Sequence, residues 1–399
     1  MRRLVVTLPL LTLLVLPSGA TALTVPTLQK KLAREMRLTG VRGSAYVEEL
    51  TGGRVLFASR ADVARPPASV NKLFTTATAL LRFGPEATFD TRVMATARPD
   101  ADGVLRGHLF LRGGGDPTLT TARVRALATT VGAAGISSVR EGVAGDGTFF
   151  DGLPGSYRTG GRYDRDIGGE AVALAVNRGL IRGHGQTAPA LIAARALAHE
   201  LRRRDVNVAG ATTTAVTPGT ARVLATTSSP PLRRLVAMTN VPSDNLYAET
   251  LLKDLGARFG GAGTTAAGAA VVRDQMAAFG LAPRVVDGSG LARANATTPR
   301  QVVGLLAHMT TEGVGGVFRA SLPLAARSGT LRTRMRGTAA AGRCRAKTGT
   351  IRLVSALAGY CPTTGGSTIA FAIQMSGMNV GAARRIQDRM TVAIARLSG

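Results

Sequence analysis

The sequence is poor in the side chains on which metal and disulfide chemistry depends: 399 residues hold two cysteines and four histidines. Two cysteines cannot build a disulfide scaffold. His108, His184, His199 and His308 have no zinc-ligand spacing, so neither a metal nor an organic cofactor is expected. Lysine is scarce as well. Lys30, Lys31, Lys72, Lys253 and Lys347 are the only five among 50 basic residues, so arginine supplies nearly all the positive charge and each lysine needs a reason. Acidic residues are few, 24 in all, and the net charge of +26 favours anionic surroundings: nucleic acid, lipid or wall polymer. There is no internal repeat and no long low-complexity tract. The one long apolar run, Leu4 to Leu16, is too short for a comfortable membrane span.

What is present describes an exported globular chain. With 45% hydrophobic and 19% charged residues, the length suffices for one large domain or two ordinary ones with real cores, and excludes disorder as the main state. Arg2 and Arg3, the apolar run, then Pro17-Ser18-Gly19 and Ala20-Thr21-Ala22 read as a cleavable signal peptide over residues 1–22; a retained anchor is the alternative. No cysteine follows the small residues, which argues against a lipoprotein. Cleavage takes the charge from +26 to +24 by removing Arg2 and Arg3. An extracytoplasmic protein, in a periplasm or cell wall, does not meet chromosomal DNA, so nucleic acid is not an expected partner, and no membrane span is expected after cleavage. Anionic wall polymers remain. In that compartment one disulfide can form. Arg343–Ala346 and Ser355–Cys361 read as strands either side of a Gly-containing turn, which would set Cys344 opposite Cys361; metal ligation is the weaker reading.

Along the chain, Ala45-Tyr46-Val47 and Val55-Leu56-Phe57 flank a Gly turn as a hairpin. Val70, Leu73, Phe74, Ala77, Leu80 and Leu81 then recur at helical spacing from Ser69 to Phe83, ending at Gly84-Pro85. From Thr88 to Val223 the texture changes to short β-like runs, Gly-rich turns and an Ala-rich helix at Ala188–Arg203, which suggests a separate, mainly-β unit. Helices follow at Leu232–Thr239, Leu246–Phe259, Thr264–Phe279 and Pro299–Thr311. The chain closes with the cysteine hairpin, a strand at Thr368–Met375 and a helix at Ala382–Leu397 whose apolar stripe suits packing on the sheet.

Three short motifs carry chemistry: Ser69-Val70-Asn71-Lys72, Ser243-Asp244-Asn245 and Lys347-Thr348-Gly349-Thr350. Two of five lysines fall inside them. A guanidinium cannot give up its proton, whereas a desolvated lysine can serve as a base. Three places along a helix, Lys72 can reach the Ser69 hydroxyl and activate it for attack on a carbonyl. The helix N-terminus adds partial positive charge and free N–H groups beside a developing oxyanion. Lys-Thr-Gly on a strand edge offers a cation, a hydroxyl and a close-approach glycine for an extended substrate with a terminal carboxylate. Neither a histidine nor an acidic triad member takes part, so acyl transfer would run on a Ser-Lys pair.

These motifs resemble those of the penicillin-recognising serine enzymes. Further stretches resemble the class C low-molecular-mass penicillin-binding proteins, the D-alanyl-D-alanine carboxypeptidase/endopeptidase family: Lys72-Leu73-Phe74-Thr75-Thr76, Gly114-Gly115-Asp116-Pro117-Thr118-Leu119, Gly145-Asp146-Gly147-Thr148-Phe149, Asp287-Gly288-Ser289-Gly290-Leu291 with Asn295, and Ser328-Gly329-Thr330-Leu331. The resemblance runs from about Gly43 to the C-terminus. It implies an α/β (α+β) transpeptidase/β-lactamase-like fold, an antiparallel sheet flanked by helices, in two parts at 23–87 and 224–399, split by one inserted domain at 88–223. It implies peptidoglycan stem peptides as substrate and β-lactams as inhibitors. By position, Ser69 would be the acylated nucleophile and Lys72 its base. Ser243 and Asn245 would relay the proton to the leaving D-alanine and orient the substrate amide. Lys347 would support that relay electrostatically, and Thr348, Gly349 and Thr350 would bind substrate, with the Ser69 and Thr350 backbone N–H groups as oxyanion hole. Asp116, Asp146 and the Asp287 loop read as structural, and Glu249 as part of a buried ion pair. A β-lactamase is the enzymatic rival, but no Glu-x-x-Leu-Asn follows the second motif, and that motif is Ser-x-Asn, not Tyr-x-Asn. A wall-binding scaffold would have no need of Lys72.

Overall fold

A computed structural model describes residues 22–363 and 365–398; the expected leader lies, but for its last residue, outside the described residues. At the centre is a five-stranded antiparallel sheet in the order Arg345–Ile351, Val354–Pro362, Thr368–Ser376, Gly43–Glu49, Arg54–Ser59. Alternation along these strands sends side chains to two faces. Tyr46, Ala356, Ala358, Tyr360, Ala370 and Ala372 face a core shared with the helices Lys72–Phe83, Asn245–Phe259 and Pro299–Thr311. Ala45, Val47, Leu357, Ile369, Phe371 and Ile373 face a second core. The terminal helices Val25–Arg37 and Val380–Ala395 cover that second face, the latter through Ile386, Met390 and Ile394. Burying each such side chain stabilises the fold by roughly 1.5–3 kcal/mol. That amphipathic stripe therefore packs on the sheet.

The disulfide joins Cys344 to Cys361, with Cα atoms 4.3 Å apart, where the register pairs Arg345 with Tyr360 at the open end of the hairpin. The hairpin is longer than expected. Its first strand runs on through Lys347-Thr348-Gly349-Thr350 to Ile351, and the reversal falls at Arg352-Leu353, with Leu353 at φ 59°, so Gly349 is a strand residue and not the turn. Helix Val25–Arg37 also went unread in the sequence, as did Thr121–Ala133.

Between the first and second motifs a second five-stranded sheet forms, in the order Thr212–Thr214, Val143–Asp146, Leu109–Gly113, Asp90–Ala95, Arg222–Ser228. Helices Thr121–Ala133 and Pro189–Arg202 pack on it around Leu111, Val124, Val143 and Leu197. The apolar run at Val104–Leu111 is broken into strands Val104–Leu105 and Leu109–Gly113. The pairing of Arg222–Ser228 with Asp90–Ala95 carries this sheet five residues past Val223. No helix among the described residues is long and apolar enough to cross a membrane.

Candidate active site

Ser69 does not sit in a regular α-helix. It lies in a 3-10 turn, Ala68–Asn71, from which helix Lys72–Phe83 continues. A 3-10 turn eclipses residues three apart, so the side chains of Ser69 and Lys72 stand over one another. The Lys72 amine donates to Ser69 Oγ at 3.0 Å, to Asn245 Oδ1 at 2.6 Å and to the Ser289 carbonyl at 2.7 Å. Lys72 is fully buried. Burial lowers its pKa from the usual lysine value to about 8, against the opposing pull of Glu249, Asp287 and Asp244. An amine of that pKa is neutral in roughly a tenth of molecules at pH 7.

The turn is shaped by its neighbours. Ala68 is left-handed at φ 47°, and Gly290 and Gly349 lie against the turn. A Cβ on Gly290 would come within 2.0 Å of the Ala68 carbonyl oxygen, and one on Gly349 within 2.4 Å of the Pro67 carbonyl oxygen and 3.2 Å of Ser69 N. Glycine in the third motif thus lets the sheet's edge strand pass directly beside the Ser69 turn. In the sequence that close approach reads as one to substrate; in the structure it is to backbone.

The second motif begins at Ser243, itself left-handed at φ 66°. Its neighbour Asp244 caps helix Asn245–Phe259 by accepting from Tyr247 N at 3.1 Å. Lys347, also fully buried, donates to Ser243 Oγ at 2.8 Å and to the Thr348 carbonyl at 2.9 Å. Burial and the nearby Lys72 cation push the Lys347 ammonium well below the usual lysine range. Thr348 Oγ1 bonds Thr330 Oγ1 at 2.8 Å, and Thr350 Oγ1 accepts from Arg384 Nη2 at 3.1 Å. Ser69, Ser243, Thr348 and Thr350 open onto one cavity of about 490 Å³, walled by Thr330, Arg334 and Arg384. All three motifs therefore meet in a single cleft.

Several groups in this cleft gave no signal of their own in the sequence. The Ser289 carbonyl holds Lys72 because its loop is pinned: Glu249 accepts from Gly288 N at 3.2 Å and Ser289 N at 2.9 Å, while Asp287 accepts from Gly290 N and Ala292 N at 2.7 Å each. Glu249 is buried as expected, but these backbone N–H groups replace the ion pair expected for it. Desolvation and the Asp287 charge raise Glu249 to about 7. Ser289 is wholly buried, which leaves no access for it as a second nucleophile. Asp116 accepts from Thr118 and Arg123, and Asp146 from Thr148 and Thr217, as turn formers. The inserted segment also reaches the cleft. Asn245 Nδ2 donates to the Asp166 carbonyl at 2.6 Å, and Arg178 pairs with Asp244 at 2.9 Å. No spacing rule could have found those contacts, since about 70 residues separate the partners.

The chain is similar to known proteins over most of its length. A sequence model of the D-Ala-D-Ala carboxypeptidase 3 (S13) family matches residues 25–160 and 180–397. A D-alanyl-D-alanine carboxypeptidase of Actinomadura sp. is 30% identical, across 91% of this chain and 82% of that protein. Carboxypeptidase DacB of Mycolicibacterium smegmatis is 31% identical, across 87% and 78%. Among solved structures, penicillin binding protein 4 from Haemophilus influenzae shares the fold with a TM-score of 0.78 at 17% identity, covering 90% of this chain and 97% of that one.

Proposed function

We propose, from the premise that the chain belongs to the D-Ala-D-Ala carboxypeptidase 3 (S13) family of serine peptidases, that it is exported and cleaves peptidoglycan stem peptides through an acyl-enzyme on Ser69. β-Lactams inhibit it by forming a slowly hydrolysed version of the same ester. The hydrogen bond from Lys72 to Ser69 Oγ at 3.0 Å, inside a buried pocket, is the observation that supports this reading most directly.

In the proposed reaction, the neutral Lys72 amine takes the Ser69 proton as Oγ bonds to the carbonyl carbon of the penultimate D-alanine. Charge on the carbonyl oxygen is met by the Ser69 and Thr350 backbone N–H groups. The carbon–nitrogen bond then breaks, and the departing amine receives a proton through the Ser243 hydroxyl. Lys347 orients that hydroxyl through a hydrogen bond that does not require a permanent charge, which suits its depressed basicity. Asn245 has one amide hydrogen held by the Asp166 carbonyl; the other is left to orient the substrate amide. Water attacks the ester carbon, the Oγ–carbon bond breaks, and Ser69 recovers its proton. Thr348 and Thr350 hold the terminal carboxylate. The +24 mature charge suits retention on anionic wall polymers, and salt would screen that retention.

Fluorescent penicillin labels the wild-type protein in this reading, and Ser69→Ala abolishes labelling. A mutant that still labelled would remove Ser69 as the nucleophile. Nitrocefin is expected to react once and be released slowly; rapid turnover would instead mark a β-lactamase. Mass spectrometry of digested muropeptides separates loss of a terminal D-alanine from opening of a cross-link.

A further inference from the structure

We infer that Arg384 is a specificity-determining residue of the cleft: it recognises the carboxylate of the leaving group, directly and through the Thr350 hydroxyl. The inference rests on the Ser69 acylation reading and adds to it a residue outside all three motifs.

Arg384 lies in the first turns of the C-terminal helix Val380–Ala395, on the wall of the cavity that also holds Ser69, Ser243, Thr348 and Thr350. Its Nη2 donates to Thr350 Oγ1 at 3.1 Å. That bond occupies a lone pair of the hydroxyl, so the Thr350 proton is free to point into the cleft as a donor. Two donors, the hydroxyl and the remaining guanidinium N–H groups, then converge on one place. A planar guanidinium matches a carboxylate bidentately, and charge-assisted bonds are about twice as strong as neutral ones.

Local charge balance leaves Arg384 available. Three arginines wall the cavity, with one acid, Asp388. Asp388 is taken by Arg334 at 2.8 Å, and Arg334 also donates to Gln387 Oε1 at 3.2 Å. Among the described residues neither Arg384 nor Arg385 has an acidic partner. The cavity therefore carries uncompensated positive charge on the wall next to the third motif. An anion bound there meets a cation without displacing an existing ion pair. A carboxylate fits this site because the Thr350 hydroxyl and the guanidinium are both donors.

The test compares two acylating reagents that differ in one group, benzylpenicillin and its methyl ester. Second-order acylation constants are measured for wild type, Arg384→Gln and Arg384→Lys. The ratio of acid to ester cancels any misfolded fraction, because both reagents see the same molecules. Loss of one charge-assisted contact is expected to lower that ratio about tenfold to a hundredfold in Arg384→Gln. Arg384→Lys, which keeps the charge and loses the fork, should fall between. Equal ratios in wild type and Arg384→Gln would overturn the assignment and leave the Ser69 reading intact. Failure of wild type to react with either reagent would overturn both.

Discussion

A lysine is a useful base only when its environment makes it lose a proton, and Lys72 is placed where burial does so. The desolvation that lowers it to about 8 is opposed by Glu249, Asp287 and Asp244, which favour the charged form. Because the proposed mechanism uses the neutral amine, the acylation rate at subsaturating penicillin should rise about tenfold per unit of pH below 8 and level off above it. A flat profile between pH 6 and 8 would exclude Lys72 as the base. Lys72→Arg keeps a cation beside Ser69 and Asn245 but cannot deprotonate, so acylation should fall by roughly two to four orders of magnitude. The lysine itself stood out in the sequence because the chain otherwise uses arginine; its fractional ionisation did not, since that depends on what surrounds it.

At the scale of elements, the decisive feature is an edge strand laid against a 3-10 turn. Strand Arg345–Ile351 is at the edge of the sheet, paired with Val354–Pro362 on one side; on the other, Arg345 bridges to Leu324, and Thr348 and Thr350 line the cleft. Gly349 makes the approach possible. In Gly349→Ala the added methyl group would meet the Pro67 carbonyl oxygen at 2.4 Å. Backbone on both sides must shift, an overpacking cost of about 1–3 kcal/mol. Thermal melting should show a drop of several degrees, and penicillin acylation should fall more than the stability loss explains, because the Ser69 N–H moves with the turn. Unchanged acylation in a destabilised variant would mean that the strand does not position the turn. The hydrophobic patterns of the strands and helices were legible from their periods. The extent of the hairpin was not, because Gly349 reads both as the glycine of a turn and as a close-approach residue on a strand edge, and only the pairing out to Ile351 decides between the two.

For the molecule as a whole, the segment inserted between the first two motifs is more than an appendage. From it Arg178 donates to the Gly168 carbonyl at 2.7 Å and pairs with Asp244, and the Asp166 carbonyl holds Asn245. Lys253 of the second-motif helix is tied to the same segment through the carbonyls of Leu153 and Ala171. Arg178→Ala should change stability by no more than about 1 kcal/mol, since the pair with Asp244 is partly solvated. Its effect should appear in penicillin acylation, several-fold slower as Asp244 and Asn245 lose their brace. Wild-type acylation in that variant would show the contact to be passive.

The sequence by itself determined most of the element types, the disulfide partners and the three motifs, because periodicity, cysteine scarcity and residue chemistry are local properties. It also carried the resemblance that named the family. Only the tertiary structure decided which groups surround the two motif lysines, that a loop carbonyl at Ser289 holds Lys72 and an insertion carbonyl at Asp166 holds Asn245, and that Arg384 faces the cleft. Those facts arise from contacts between segments far apart in the chain, and desolvation, the largest influence on both amines, exists only once the chain has closed around them.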